Sequence, residues 1–276
     1  MPAPISDSFR LAIAQIDPIV GDIGGNLERA RKARAAAAAQ SADLIVFPEL
    51  YISGYPPEDL VLKPAFLDAC RDAVEALVKD TADGGPGVVV GAPWRDKAKV
   101  TNAVILADGG RVEGVRAKVE LPNYGVFDEV RVFAAGPLPG PVGFRGLRLG
   151  LPICEDIWAE QVPECLAETG AEFLIVPNGS PYWQGKAEER LQVAVARVVE
   201  TGLPLVYVNQ CGAQDELVFD GGSFGLHSDR SLAFRMSAFD EEVTVIGWRK
   251  SLGERATQKL MWENAARFFR LTSTPW

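Results

Sequence analysis

Short apolar runs separated by helical patterns recur along nearly the whole chain, and this alternation constrains the fold more than any other feature. Runs at 9–16 (FRLAIAQI), 44–47, 88–92, 103–107, 112–117, 147–153, 173–176 and 205–209 read as strands, with late ones at 223–226, 232–234 and 243–248. Several are apolar on both faces, as expected of sheets covered by further layers. Between them, 26–40 reads as a helix, with Leu27, Ala30, Ala33 and Ala37 spaced by three and four. The segment 65–79 repeats that spacing with Phe66, Cys70, Val74 and Leu77, and Pro64 suits its first turn. Further helices are expected at 162–169, 186–201 and, near the end, 259–270. The Gly/Pro-rich stretch 136–146 reads as a loop, and no composition shift marks a domain boundary. The pattern is that of one α/β domain with a multi-layered sheet system.

Composition removes several function classes. The chain holds a single histidine, His227. Catalysis that needs a histidine must use that residue, and zinc sites with two or three histidines cannot form within one chain. Lys and Arg total 28 against 37 Asp and Glu, a net charge of −9. A nucleic-acid backbone is repelled on average by such a surface, so no nucleic-acid partner is expected. No apolar run approaches the ~18–20 residues of a membrane span. The N-terminus, MPAPISDSFR, lacks a basic region followed by an apolar run. A cytoplasmic protein with no membrane partner is therefore expected. The cysteines Cys70, Cys154, Cys165 and Cys211 form no CxxC pair, which disfavours redox and zinc-ribbon readings. Cys70, on a helical apolar stripe, reads as core.

Three strand-like runs end on a reactive side chain, the place where α/β proteins carry chemistry. Glu49 follows DLIVFP, where a buried carboxylate can act as base or acid. Lys118 ends the run before a Pro/Asn/Gly-rich loop, where an ammonium can stabilise an oxyanion. Cys154 follows RLGLPI and precedes a turn, and the Glu155 N–H beside it can donate to an oxyanion. Taken singly, each residue fits a bland role better: a solvated carboxylate, a surface lysine, a structural thiol. Together they make a Glu–Lys–Cys constellation in which a glutamate replaces histidine as the base.

The segments FPELYISGYPPEDL (47–60), KVELPNYGVFDE (118–129), LPICEDIW (151–158) and NGSPYWQGK (178–186) resemble the nitrilase, or carbon–nitrogen hydrolase, superfamily. LPNYGVFDE and the run GAQDELVFDGGS (212–223) narrow the likeness to the glutaminase domains of glutamine-dependent NAD⁺ synthetases. The similarity spans roughly residues 9 to 250. It implies a four-layer αββα sandwich in a single domain, commonly paired across a two-fold into a homodimer or higher oligomer. It also implies a catalytic triad of Glu49, Lys118 and Cys154, with Glu129 as a supporting glutamate. The implied reaction is amide hydrolysis through a thioester, turning glutamine into glutamate and ammonia for NAD⁺ synthesis. Substrate-binding positions carried over are Tyr124, Phe127, Glu155, Ser180 and Lys186, with Tyr55 walling the pocket. No cofactor and no metal ion is implied.

The ATP-binding synthetase domain of that family, with its SGGxDS-type loop, has no counterpart expected here; residues 251–276 read as a C-terminal tail, of which 258–276 match no family linker. The chain then reads as an excised domain or as a separate glutaminase subunit, with a synthetase domain or subunit in trans as its partner. The alternatives are a stand-alone amidase, nitrilase or N-carbamoyl hydrolase, and a non-catalytic interaction subunit. His227 lies outside every motif and reads as structural.

Overall fold

In the computed structural model, which describes residues 8–96 and 99–249, the apolar runs pair into two six-stranded sheets. The first contains β1 (Ser8–Gln15), β2 (Leu44–Val46), β3 (Gly87–Asp96), β4 (Lys99–Asp108) and β5 (Arg111–Ala117). The second contains β6 (Val142–Phe144), β7 (Leu147–Gly150), β8 (Phe173–Asn178) and β9 (Leu205–Asn209). A separate hairpin is made by β10 (Cys211–Gln214) and β11 (Leu217–Asp220). Strands β12 (Phe224–Leu226) and β13 (Leu232–Arg235) then complete the second sheet, and β14 (Glu242–Arg249) returns to the first. The spatial orders are β14-β1-β2-β3-β4-β5 and β13-β12-β9-β8-β7-β6. Each sheet has a parallel trio, β1-β2-β3 or β7-β8-β9, flanked by antiparallel strands.

Alternation along β1 shows how the layers are built. Leu11 and Ile13 pack between the sheets with Val46, Val89, Leu149, Ile175 and Val206. Ala12 and Ala14 face the other way, against helices α1 (Ile23–Ala39) and α2 (Pro64–Asp80). A short helix, α3 (Glu129–Val132), follows the loop after β5. Helices α4 (Gln161–Glu168) and α5 (Lys186–Thr201) cover the outer face of the second sheet through Val162, Leu166, Ala194 and Val198. The result is the αββα sandwich. Each large side chain fully buried between layers contributes roughly 1.5–3 kcal/mol. No helix among the described residues is long and apolar enough to cross a membrane.

The structure departs from the expected elements in instructive places. The stretch read as a loop, 136–146, contains the edge strand β6, whose Val142 and Phe144 point into the core while Gly143 faces solvent. Three residues are too few to register as a period. Ladder pairing in β7 stops at Gly150, short of the expected 153. Pro152 has no N–H to continue a ladder. The strands β10 and β11 were not expected, because their run is rich in turn-forming residues. The helix expected at 259–270 lies outside the described residues. His227 is half-buried, with its ring 4.9 Å from that of Trp248, and burial pulls its pKa below the ordinary value.

Candidate active site

The site forms where the carboxyl ends of the central strands of both sheets meet. Glu49 sits on the turn after β2. Gly91 of β3 passes so close to this turn that an added Cβ would lie 2.3 Å from the Leu50 nitrogen and 2.8 Å from the Pro48 carbonyl oxygen. Leu50 itself takes a left-handed φ of 47°, which turns the chain sharply after the glutamate. Lys118 follows β5, and its N–H donates to the Asn102 carbonyl of β4 at 2.8 Å. Cys154 opens a short 3₁₀ turn, Cys154–Ile157, with a φ of 45°. A non-glycine residue in that region is strained, as a side chain thrust out of a strand-to-helix bend commonly is.

These elements bury a charged cluster. Glu49 and Lys118 are both 0% exposed. Lys118 Nζ donates to Glu49 Oε1 at 2.7 Å and to Glu129 Oε1 at 2.9 Å. Burial by itself depresses a lysine, but the two carboxylates outweigh it and hold Lys118 well above its ordinary value. Glu129 is pushed upward by burial and by Glu49, against the pull of Lys118. Glu49 Oε2 accepts the Gly179 N–H at 2.9 Å, a bond from the second sheet to the first. The buried Cys154 thiol feels the charges of Glu49, Lys118, Glu155 and Glu129. Burial and then Glu49 push its pKa well up, with Lys118 pulling the other way.

The outer residues fall into two groups. Tyr124 and Phe127 stack edge-to-face at 5.4 Å on the loop after Lys118, with Tyr124 51% exposed. The Tyr124 hydroxyl donates to Glu155 Oε1 at 2.9 Å, which ties this loop to the cysteine turn. Lys186 lies buried between two tryptophan faces, 3.9 Å from the Trp158 centroid and 3.7 Å from that of Trp183. Ring quadrupoles attract a cation there while shielding it from water. Burial lowers its pKa, offset in part by Glu189 at 3.4 Å. Ser180 is buried, and its hydroxyl accepts from Arg190 Nε at 3.1 Å. Tyr55 stands behind the charged cluster, fully buried, its hydroxyl donating to Glu129 Oε1 at 3.0 Å.

The structure adds residues that the sequence reading passed over. Asn102 Nδ2 bridges the carboxylates, donating to Glu49 Oε1 at 2.7 Å and to Glu129 Oε2 at 3.4 Å. Its signal was a lone amide at the head of an apolar run. Arg190 donates to both oxygens of Asp220, at 2.7 and 3.0 Å, and to the carbonyls of Ser180 and Pro181 at 2.8 and 2.9 Å. Nothing in the spacing of α5 singled out Arg190.

Two stacked sheets between helix layers, with carboxylate, ammonium and thiol converging at their shared end, define the class of αββα hydrolases of carbon–nitrogen bonds. The chain belongs to the carbon-nitrogen hydrolase family, which it matches over residues 10–248. It is 46% identical over 239 residues, 87% of its own length, to a glutamine-dependent NAD(+) synthetase of Rhodobacter capsulatus, of which it covers 43%. Its fold matches the glutamine-dependent NAD⁺ synthetase of Acinetobacter baumannii with a TM-score of 0.84 at 35% identity, covering 88% of this chain and 46% of that one. It also matches a variant of the amidase from Nesterenkonia sp. AN1 bearing a Michael addition of acrylamide at its active-site cysteine. There the TM-score is 0.76 at 26% identity, covering 92% of this chain and 99% of that one. The chain thus spans about half the length of the curated relatives it matches.

Proposed function

We propose that the chain hydrolyses the side-chain amide of glutamine and delivers the ammonia to an NAD⁺-forming synthetase domain or subunit. The observation that carries this reading is the fully buried Lys118, held between Glu49 and Glu129 beside the strained Cys154 turn. In this reading Cys154 attacks the amide carbon as Glu49 accepts the thiol proton. Lys118 has a third N–H beyond the two directed at carboxylates, and with the Glu155 N–H it stabilises the tetrahedral oxyanion. Glu49 returns its proton to the departing ammonia. It then takes a proton from the water that cleaves the thioester to glutamate, and returns that proton to the departing Cys154 sulfur. Glu155 faces the substrate's α-ammonium group. Lys186 and Ser180 face its α-carboxylate. Tyr124 and Phe127 cover the chain between them. Tyr55 walls the site from behind through Glu129.

The test is ammonia release from glutamine by the wild type and by Cys154→Ala. Loss of the nucleophile is expected to lower turnover on the order of 10⁵-fold or more. Undiminished release from the variant would overturn the assignment. A second reading, an amidase of uncharged amides, draws support from the nearly full-length match to the Nesterenkonia amidase. Faster turnover of propionamide than of glutamine would select it, since Glu155 and Lys186 would then have no charged groups to recognise.

A further inference from the structure

Asp156 lies two residues beyond the cysteine and takes no part in the chemistry above, yet it is buried to 1% exposure. Its carboxylate accepts three backbone N–H groups. Oδ1 receives those of Val119 at 2.9 Å and Glu120 at 2.8 Å, and Oδ2 receives that of Ile153 at 2.9 Å. The Asp156 N–H in turn donates to the Ile153 carbonyl at 3.0 Å. Val119 and Glu120 directly follow Lys118, and Ile153 directly precedes Cys154. One side chain therefore joins the strand end carrying the ammonium, in the first sheet, to the turn carrying the thiol, in the second.

The chemistry of this contact demands a carboxylate. Burial pushes the Asp156 carboxyl up to about 6, with the N–H donors and Lys118 pulling it back. An ionised group survives there because its lone pairs are used by donors on both oxygens. An asparagine has the same shape but only one accepting oxygen, and its NH₂ would face an N–H. The loop rooted at Val119 also carries Tyr124 and Phe127, so its root and its tip are tied to the cysteine turn separately: the root by Asp156, the tip by the Tyr124–Glu155 bond.

We infer that Asp156 is a positioning residue for amide hydrolysis: it sets Lys118 and the Glu155 N–H against the Cys154 thiol by holding both backbones to one carboxylate. The inference rests on the reading of Cys154 as nucleophile. Misplacement of reacting groups by about 1 Å costs roughly 10²-fold in rate. Asp156→Asn is therefore expected to lower kcat for glutamine about 10²-fold with KM changed less than about threefold. Alkylation of Cys154 by iodoacetamide is expected to slow as well. Both rates are taken per folded protein, judged by near-UV circular dichroism. A variant whose folded fraction keeps the wild-type kcat overturns the positioning role, because a merely structural contact would act on the folded fraction alone. Hydrogen exchange in the wild type provides a check that needs no variant. The Val119 and Glu120 amides are expected to exchange at least tenfold more slowly than that of Val126 at the loop tip. Equal rates would overturn the proposal. A wild-type Cys154 that neither alkylates nor turns over any amide would overturn the nucleophile reading with it, whereas an unchanged kcat in Asp156→Asn removes the positioning role alone.

Discussion

Two buried ionic clusters flank the segment 178–180, and they are built to opposite designs. In one, a single ammonium, Lys118, serves two carboxylates, Glu49 and Glu129, and Gly179 donates to Glu49. In the other, Arg190 meets Asp220 on two oxygens and spends its remaining donors on Ser180 and Pro181. The arginine pair is neutral and its geometric fork is filled, so it has nothing left to give a substrate. The lysine cluster sets one ammonium against two carboxylates and leaves Lys118 an N–H beyond those two bonds, beside the Cys154 thiol. Equal burial therefore serves different ends. Saturation holds a backbone in place, whereas imbalance keeps groups ready to move protons.

The largest break in this contrast is Lys118→Met. It leaves two carboxylates facing each other and, on the proposed mechanism, removes an oxyanion donor. Turnover of glutamine per folded protein is expected to fall about 10³-fold, measured by ammonia release. Arg190→Met comes next and acts in the opposite currency. Leaving Asp220 buried without its partner is expected to cost about 3–5 kcal/mol of stability in urea unfolding. Its kcat per folded protein is expected to change far less than that of Lys118→Met, with KM rising because Ser180, on the proposed reading a contact to the substrate, loses its support. Equal kcat losses in the two variants would show that the two clusters do not serve different ends.

The smallest effect is in pH dependence. Glu129 has its carboxyl raised in the folded chain by burial and Glu49. A raised group binds its proton more readily when folded. Its contribution to stability is therefore fully present below the unfolded value of about 4.3 and is lost as pH rises through the folded value. Glu129→Gln is expected to remove this component, giving a shallower loss of urea midpoint than the wild type as pH rises from 4.5 to 7.5. An unchanged slope would show that Glu129 binds its proton no more readily in the folded chain than in the unfolded one.

Much of the fold was legible in the chain, because periods of two and three to four are local. The runs at 9–16, 88–92 and 205–209 appear as β1, β3 and β9 with shifts of a few residues at their ends. The short strands β6, β10 and β11 escaped because Gly, Pro and Asp dominate their surroundings and three or four residues carry no period. In the site, Glu49, Lys118 and Cys154 stood out because each interrupts an apolar run with reactive chemistry. Asn102, Arg190 and Asp156 did not. An amide, a helical arginine and an aspartate after a glutamate have ordinary surface roles, and only their burial in this structure marks them as otherwise.

The sequence alone determined the layer types, the reactive side chains at three strand ends and, through its motifs, the resemblance to carbon–nitrogen hydrolases. The tertiary structure decided which of those ends meet. Glu49 and Lys118 are 69 residues apart in the chain and 2.7 Å apart in space. That contact follows from the strand order of the first sheet, and the stacking of the second upon it brings Gly179 and the Cys154 turn to the same end. Both depend on long-range pairing, which local periodicity does not encode. Charge stoichiometry within a buried cluster is likewise a property of the assembled neighbourhood. A lysine becomes a held ammonium with a free N–H only once two carboxylates and an excluded solvent surround it.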